Sequence, residues 1–493
     1  MNLIDLTITQ ALEKLKSREI SATELARAHL DRIEKLNPDL NAYITVTAER
    51  AMADASTSDA RYANGEARIL DGIPIGMKDL FTTRGIRTTA GSKMLENFIP
   101  EYESTVSGKC IDAGTVLLGK TNMDEFAMSG TGRTSYFGAT KNPYSRDTAL
   151  MPGGSSSGSV AAVAAGLCMA ATGSDTGDSI RFPSALTGLV GMKPTYGLCS
   201  RWGCIAFASS LDHPGAIART VDDCALLLGA MAGHDKNDST SAPIADEIAA
   251  QLQQTLAPID LHGVRIGIVS EVINSPAISP DVREMFNRNI EQLRGMGAEI
   301  IEVSIPHVML TSVLYAVISR AESSSNLSRY DGMKYGLRVD GDNLIDTYMK
   351  TRAAGFGDNV KFRMITGSIA LTKDFYDSCF VKAAQVRRLL TEEVNAALQQ
   401  CDFIISPAAP RAAFPLNEDL TADEADISNA ALVPMNLAGL PGCTVPGGRD
   451  ARGLPLGMHV AGAQFSDARV LQMAKRIEEI AAIDNRPTII MGK

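Results

Sequence analysis

The chain has 493 residues, a formal net charge of -10 and 45% hydrophobic residues, a composition typical of globular proteins rather than disordered or membrane ones. The negative charge and the lack of a dense Lys/Arg run exclude nucleic-acid binding through a cationic face of this chain, because phosphate contacts need clustered positive charge. If RNA takes part in the function, we expect another chain to hold it.

Residues 1–20 carry polar side chains every few positions, so we interpret them as neither a signal peptide nor a membrane anchor. No apolar run in the sequence reaches membrane-spanning length, and we expect a cytoplasmic protein with no membrane partner.

The 8 cysteines form no C-x-x-C pair, and the 6 histidines include no H-E-x-x-H motif. We therefore expect reduced thiols and no metal site.

The first element with clear boundaries is an amphipathic helix over residues 21–38. Ser21 and Glu24 have the spacing of a capping box, and the Asn37-Pro38 pair is expected to end the helix. Apolar residues follow one helical face between these signals, at Ala26, Leu30, Ile33 and Leu36.

Later segments alternate between buried strands and helices. Residues 263–269 predict a strand, Ser279-Pro280 begins a helix with Phe286, Ile290 and Leu293 inward, and residues 298–306 predict a second strand. Further strands are predicted at 401–406 and 454–462, and a capped helix at 466–480. This order predicts an α/β protein with a parallel or mixed sheet covered by helices, and the lack of a long linker predicts one domain.

Two serine-rich segments lie between strand and helix signals, where α/β proteins place their sites. They are "MPGGSSSGSVAAVAAG" at 151–166 and "GSDTGDSIRFPS" at 173–184. The second segment offers four successive backbone N–H groups for a developing oxyanion, those of Thr176, Gly177, Asp178 and Ser179. No histidine lies nearby in sequence, so a Ser-His-Asp triad has no local support.

A lysine is the other candidate base. Lys78 ends the apolar run in "GIPIGMKDLF" at 72–81, and burial there would favour its neutral form. The competing interpretation is a lysine that extends from a strand end to reach solvent.

These three segments, in this order, resemble the amidase signature enzymes. That resemblance implies a Ser–cisSer–Lys triad made of Ser179 as nucleophile, Ser155 and Lys78. It also implies one large mixed β-sheet with helices on both faces. The whole chain, 1–493, is then one domain, with a helical segment at about 1–60, a signature core at about 70–235 and an α/β portion at about 260–485.

Within the family, the chain is similar to glutaminase subunits of tRNA-dependent amidotransferases. The similarity is strongest in four segments, at 120–128, 200–235, 321–336 and 434–442. It implies hydrolysis of glutamine through an acyl-enzyme on Ser179, which supplies ammonia for the conversion of Glu-tRNA(Gln) to Gln-tRNA(Gln). It also implies a heterotrimer with B and C subunits, in which the B subunit binds the tRNA and uses ATP and magnesium, so that this chain needs no cofactor.

The same resemblance implies three residues for the substrate. Arg363 matches the arginine that grips the glutamine carboxylate, and Tyr315 is a further candidate for the pocket or for the core. Asn429 stands where these subunits have an aspartate for the substrate amino group. Asp426, three residues earlier, would compensate for the lost charge if this segment is helical.

Several positions depart from the family pattern. Asp178 replaces a glycine beside the nucleophile, and an ionised carboxylate about 5 Å from the oxyanion would oppose it by roughly 3 kcal/mol. Ser157 also replaces a glycine, and Phe182 resembles free-standing amidases. Two alternatives therefore stay open, a free-standing acylamide hydrolase, favoured by Phe182 and Asn429, and a catalytically degenerate scaffold subunit, favoured by Asp178.

Overall fold

A computed structural model describes residues 2–254, 256–484 and 486–488. The remaining residues of the predicted domain, namely 1, 255, 485 and 489–493, lie outside this described part. Within it, the chain forms one sheet of eleven strands. In chain order, β1 to β11 are Tyr43–Val46, Pro74–Lys78, Val116–Thr121, Ala170–Asp175, Val190–Lys193, His213–Ala218, Arg265–Val269, Glu299–Val303, Phe403–Pro407, Gly442–Arg449 and Pro455–Ala461.

The strand order across the sheet is β1-β3-β2-β4-β6-β5-β10-β11-β9-β7-β8. The pairs β2–β3, β2–β4, β7–β8 and β7–β9 are parallel, and the other neighbours are antiparallel. The predicted α/β class is confirmed, and of the two sheet types left open by the strand pattern, the chain forms the mixed one.

Seventeen α-helices occur in the described residues. In chain order, α1 to α17 are Ile8–Ser17, Ala22–Leu40, Ala48–Asn64, Thr105–Asp112, Ser157–Ala164, Arg181–Thr187, Val221–Met231, Ala245–Leu252, Ser270–Ile273, Pro280–Gly295, Thr311–Asn326, Leu344–Gly355, Asp358–Ala370, Lys382–Gln400, Ala422–Leu432, Pro434–Leu437 and Asp467–Ala481. A π-helical turn, Tyr376–Val381, precedes α14. None of the helices described combines the length and apolar content needed to cross a membrane.

The helix predicted at 21–38 is α2, and its capping box is confirmed in both directions between Ser21 and Glu24. The predicted end was wrong by two residues, because the helix continues through Pro38 to Leu40. Proline removes one hydrogen bond from the last turn, whereas continuing the helix buries Leu40. Asn41, in the left-handed region at φ 52°, ends the helix.

The predicted strand–helix–strand unit is confirmed as β7, α10 and β8, with β7 and β8 parallel. Phe286, Ile290 and Leu293 of α10 are buried as predicted. The later strands and helix are also confirmed: residues 401–406 contain most of β9, 454–462 contain β11, and α17 matches the predicted terminal helix to within one residue at each end. The predicted cap was wrong, because the Ser466 hydroxyl donates back to the carbonyl oxygen of Ala463 and accepts no N–H of the helix.

The sheet brings the two chemistry-bearing segments to one edge. Strands β2 and β4 are parallel neighbours, so their carboxyl ends meet at the same edge of the sheet. Lys78 is the last residue of β2, and Asp175 is the last residue of β4. The turn after Asp175 carries Ser179 and leads into α6.

Helix α5 follows Ser155 and is buried along its whole length. This burial depends on small residues, above all Gly158. A Cβ built at Gly158 would overlap the backbone oxygen of Ala42 and the backbone of Asn122, neither of which is the end of a flexible side chain. The missing side chain therefore allows α5 to lie directly against the strand-end segments.

We expect Gly158→Ala to lower the free energy of unfolding by about 1–3 kcal/mol, because the backbone of α5 or of its neighbours must shift. Denaturation midpoints of both proteins measure this. Gly295→Ala is the matched control, since a Cβ there meets nothing within 4 Å. Equal midpoints for the two variants would contradict the packing argument.

Candidate active site

The side chain of Lys78 is fully buried and surrounded by hydroxyl groups. Its Nζ lies 2.8 Å from Ser155 Oγ, 2.9 Å from Ser156 Oγ and 2.8 Å from Ser174 Oγ. A neutral amine donates two hydrogen bonds and accepts one, so one of these hydroxyls can direct its proton at Nζ. The structure thus brings two predicted residues, Lys78 and Ser155, into hydrogen-bond contact.

Burial lowers the pKa of Lys78 to about 7, because an ammonium ion is poorly solvated in this interior. The Cys204 thiol and the carboxylates of Asp124, Asp175 and Asp212 act in the opposite direction and keep the pKa from falling further. At neutral pH a large fraction of Lys78 is therefore the free amine, which is the form that can accept a proton. Of the two interpretations of Lys78, the structure supports the buried one.

The turn that carries Ser179 is fixed by a buried ion pair. Asp175 Oδ2 accepts the backbone N–H of Ile180 at 3.1 Å and also pairs with the Arg181 guanidinium. Arg181 Nη2 in turn donates to the carbonyl oxygen of Gly177 at 2.8 Å. Both ends of the turn are thus tied to one carboxylate, which limits the positions that Ser179 can adopt.

The two serine segments lie side by side. The N–H of Ser156 donates to the carbonyl oxygen of Ser179 at 3.3 Å, and the Gly154–Ser155 peptide bond is cis. Among the described residues no hydrogen bond joins Ser155 Oγ to Ser179 Oγ. Catalytic hydrogen bonds often tighten only when substrate is bound. The role of these three residues as a triad stays a prediction.

The predicted oxyanion site is an open loop. In the described part of the chain, no backbone or side-chain acceptor is paired with the N–H groups of residues 176–179. Thr176 Oγ1 donates to Asp212 Oδ1 at 2.7 Å, which anchors the start of the loop. A Cβ at Gly177 would lie 2.9 Å from Cζ of Tyr315, so only glycine fits beneath that ring. The oxyanion role of residues 176–179 remains a prediction.

The carboxyl group of Asp178 is not fully ionised at neutral pH, unlike the carboxylate considered from the sequence. Burial and the neighbouring Asp175 raise its pKa to about 7, although Arg181 and Arg363 oppose the rise. Its carboxyl group makes no hydrogen bond to another described residue, and it does not cap α6, whose first N–H groups are taken by Asp175. At neutral pH a large fraction of Asp178 is therefore protonated and carries no charge against an oxyanion.

A cavity of about 380 Å³ opens over Ser179 and Asp178. The three predicted substrate residues all line it, together with Phe182 and Arg320; they are Tyr315, Arg363 and Asn429. Their substrate-binding role is untested and stays a prediction.

Polar contacts within the cavity are few. Arg363 Nε donates to Asn359 Oδ1 at 3.4 Å, and the amide of Asn429 donates to Ser312 Oγ at 3.0 Å. Asp426 lies on a helix, which was the condition for it to replace the charge missing at position 429. Its side chain is exposed, however, and is not one of those that line this cavity. Among the residues that the structure describes, no cluster of three His, Cys, Asp or Glu side chains could hold a metal ion.

Sequence reasoning missed several residues around Lys78. Ser174 contacts its Nζ, and Thr172 Oγ1 accepts its backbone N–H at 2.9 Å. The available signal was the alternation of hydroxyl residues in "AATGSD", since positions two apart share one face of a strand. Asp212 and Arg320 gave no such signal, because a loop and a separate helix bring them to the site.

The fold and the lysine–serine site define an amidase. The amidase family model matches residues 24–471, and the chain belongs to this family. It is 48% identical over 487 residues to the A subunit of glutamyl-tRNA(Gln) amidotransferase from Methylorubrum populi, covering 97% of each chain. It is also 48% identical over 489 residues to the same protein from Rhizobium meliloti, covering 97% of this chain and 98% of that one.

Solved structures show the same architecture. The crystal structure of the glutamyl-tRNA(Gln) amidotransferase A subunit from Thermotoga maritima superposes with a TM-score of 0.79 at 33% identity, covering 99% of both chains. Native peptide amidase from Stenotrophomonas maltophilia superposes with a TM-score of 0.84 at 29% identity, covering 98% of this chain and 99% of that one. The predicted family and fold are confirmed.

The two groups with a pKa of about 7 place opposite demands on pH. Lys78 must be neutral and favours pH above 7, whereas Asp178 opposes the oxyanion once it ionises above 7. We expect a bell-shaped profile of kcat/KM for glutamine with its maximum near neutral pH. In Asp178→Asn the alkaline limb should disappear, with a gain of about twofold at pH 7 and up to about a hundredfold at pH 9.

Asp426→Asn removes an exposed carboxylate and serves as the control, with no expected change in the profile. An alkaline limb that survives in Asp178→Asn would show that Asp178 does not oppose the reaction.

Proposed function

We propose that this chain is the glutamine-hydrolysing subunit of a tRNA-dependent amidotransferase that converts Glu-tRNA(Gln) to Gln-tRNA(Gln). The observation that carries the proposal is one cavity that joins Ser179, beside the buried Lys78 site, to the guanidinium of Arg363. An amide at one end and a carboxylate at the other are the two groups that glutamine presents. The relatives, which are named as A subunits of glutamyl-tRNA(Gln) amidotransferases, support the same function.

The proposed reaction uses the predicted triad of Lys78, Ser155 and Ser179. Neutral Lys78 accepts a proton from Ser155, which accepts one from Ser179, and Ser179 Oγ forms a bond to the side-chain carbonyl carbon of glutamine. The N–H groups of residues 176–179 stabilise the oxyanion. The proton returns to the leaving nitrogen, the C–N bond breaks, and ammonia departs. Water then attacks the acyl-enzyme by the same proton path and releases glutamate.

The remaining parts of the proposal concern partners and location. We propose a cytoplasmic heterotrimer with B and C subunits, in which the B subunit binds the tRNA and uses ATP and magnesium. The net charge of -10 supports this division, because this chain has little cationic surface for phosphate groups. No cofactor is proposed for this chain.

A free-standing acylamide hydrolase is the second candidate. Phe182 in the cavity wall and the uncharged Asn429 favour it, as does the likeness to a peptide amidase. The scaffold alternative rested on an ionised Asp178, and the raised pKa of that group removes much of its support.

The proposal predicts that Ser179→Ala abolishes glutamine-dependent transamidation by the complex and leaves ammonia-dependent transamidation nearly intact, because only the ammonia source is lost. Both activities are measured on the same preparation. The exposed Ser328→Ala is the control and should change neither activity. Equal loss of both activities in Ser179→Ala would contradict the proposal.

Helices α12 and α13 carry an unusual number of exposed apolar side chains. This surface, here called the α12–α13 face, includes Ile345 at 70% and Met349 at 66% relative exposure, with Leu344, Phe362, Ile365 and Ile369 also exposed. On each helix these residues share one face by their spacing, Ile345 with Met349 on α12 and Phe362 with Ile365 and Ile369 on α13. Exposed apolar surface of this kind marks protein interfaces. Because the relatives are named as one subunit of an amidotransferase, we assign this face to a partner subunit.

Replacing Ile345 and Met349 together by Glu is expected to weaken the association with partner subunits by at least about tenfold, because two charges would lose their hydration in the interface. Co-elution in size-exclusion chromatography measures this, and the melting temperature of the isolated chain should stay unchanged. Val46→Glu, an exposed apolar position on the edge strand β1, is the control. Unchanged co-elution of the double variant would exclude this face.

A further inference from the structure

A second arginine shares the cavity with Arg363. Arg320 lies on α11 and Arg363 on α13, and these helices pack closely because Gly367 leaves room for the backbone oxygen of Arg320. The Arg320 guanidinium lies over the Phe362 ring, 5.3 Å from its centroid. Two cations from facing helices therefore line one cavity that also contains Ser179.

Neither cation has an acidic partner in the described part of the chain. Arg320 forms no ion pair with a described residue, and its buried Nε has no hydrogen-bond partner among them. Arg363 forms no ion pair with a described residue either, and its one side-chain hydrogen bond within that part of the chain is the long one to Asn359. Burial and the nearby Arg363 both lower the pKa of Arg320. Like charges held together in a partly dry site are destabilising unless an anion joins them.

The acidic groups of the cavity do not supply that anion. Asp419 is already paired with Arg133. Asp178 has a pKa raised to about 7 and forms no ion pair with either arginine. Position 429, on α15, is an uncharged asparagine whose amide donates to Ser312 of α11. The cavity therefore has excess positive charge and attracts an anionic ligand.

We propose that Arg320 acts with Arg363 to bind the carboxylate of the amide substrate and is a specificity-determining residue of this enzyme. The proposal rests on the proposed amide hydrolysis at Ser179 and names its substrate class, short amides with a carboxylate at the far end. Two guanidinium groups lie near that end, and Asn429 carries an amide rather than a carboxylate. An α-ammonium group on the substrate therefore adds little to binding.

Three probes of equal chain length separate these groups. Glutamine carries the carboxylate and the ammonium, glutaramate carries only the carboxylate, and glutaramide carries neither charge. For the complex with wild-type chain we expect kcat/KM on glutaramate to match or exceed that on glutamine. Arg320→Met keeps an unbranched apolar side chain at this position and removes the guanidinium, and it should lower kcat/KM for both carboxylates by about tenfold to a hundredfold, through KM. Its effect on glutaramide should be less than about twofold.

The exposed Arg388→Met, whose partner is Glu392, is the control and should alter none of the three. Equal losses on glutaramate and glutaramide in Arg320→Met would overturn the proposal, because they would show a structural role. If Arg320→Met does not fold, Arg320→Lys takes its place. It keeps the charge without the forked geometry, and an unchanged KM for glutamine and glutaramate would likewise overturn the proposal.

Binding of glutarate, measured by calorimetry on the full chain, separates this proposal from the function proposed above. A tenfold or larger rise in Kd in Arg320→Met supports the carboxylate site even if the wild-type complex releases no ammonia from glutamine, an outcome that would defeat the glutaminase function alone. An unchanged Kd alongside normal glutamine hydrolysis would defeat the Arg320 assignment alone.

Discussion

The proposed chemistry depends on burying the amine of Lys78 without depriving it of hydrogen bonds. A charged lysine in this interior would lose its hydration, so the neutral form is favoured and the pKa of Lys78 falls to about 7. The hydroxyls of Ser155, Ser156 and Ser174 replace the lost water. The parallel pairing of β2 and β4 makes this possible, because it places the end of one strand beside hydroxyl groups of the next.

A second buried network holds the nucleophile turn against this site. Arg181 is fully buried and bonds to Asp175, to the carbonyl oxygen of Gly177 and to Asn436 Oδ1 at 2.6 Å. Such a network is costly if any member is left unpaired, so it specifies one arrangement of the turn.

The wall of the cavity that faces the nucleophile turn has a different composition. It comes from α11, α13 and α15 and carries two guanidinium groups that have no acidic partner among the described residues, which makes it the place where specificity can vary without disturbing the turn.

Asp178 shows how tertiary environment changes the meaning of a substitution. In the sequence it introduces a carboxylate where family members have glycine, and in water that group would be ionised at neutral pH. In the fold it is partly buried and lies close to Asp175, so its pKa rises to about 7. The protonated form of Asp178 at neutral pH is therefore compatible with catalysis, whereas its ionised form at alkaline pH opposes the oxyanion.

Local signals in the sequence determined the elements and the chemistry-bearing segments. The capping box at Ser21 and the strand–helix–strand unit at 263–306 rest on residues close together in the chain. Lys78, Ser155 and Ser179 each lie in a short segment whose residues resemble the family pattern. The end of α2 was misplaced because burial of Leu40 outweighs the penalty of Pro38. Only the tertiary structure decided the strand order, the charge state of Asp178 and the meeting of Arg320 with Arg363. Each of these depends on contacts between distant segments and on the solvation that such contacts exclude, which no local pattern encodes.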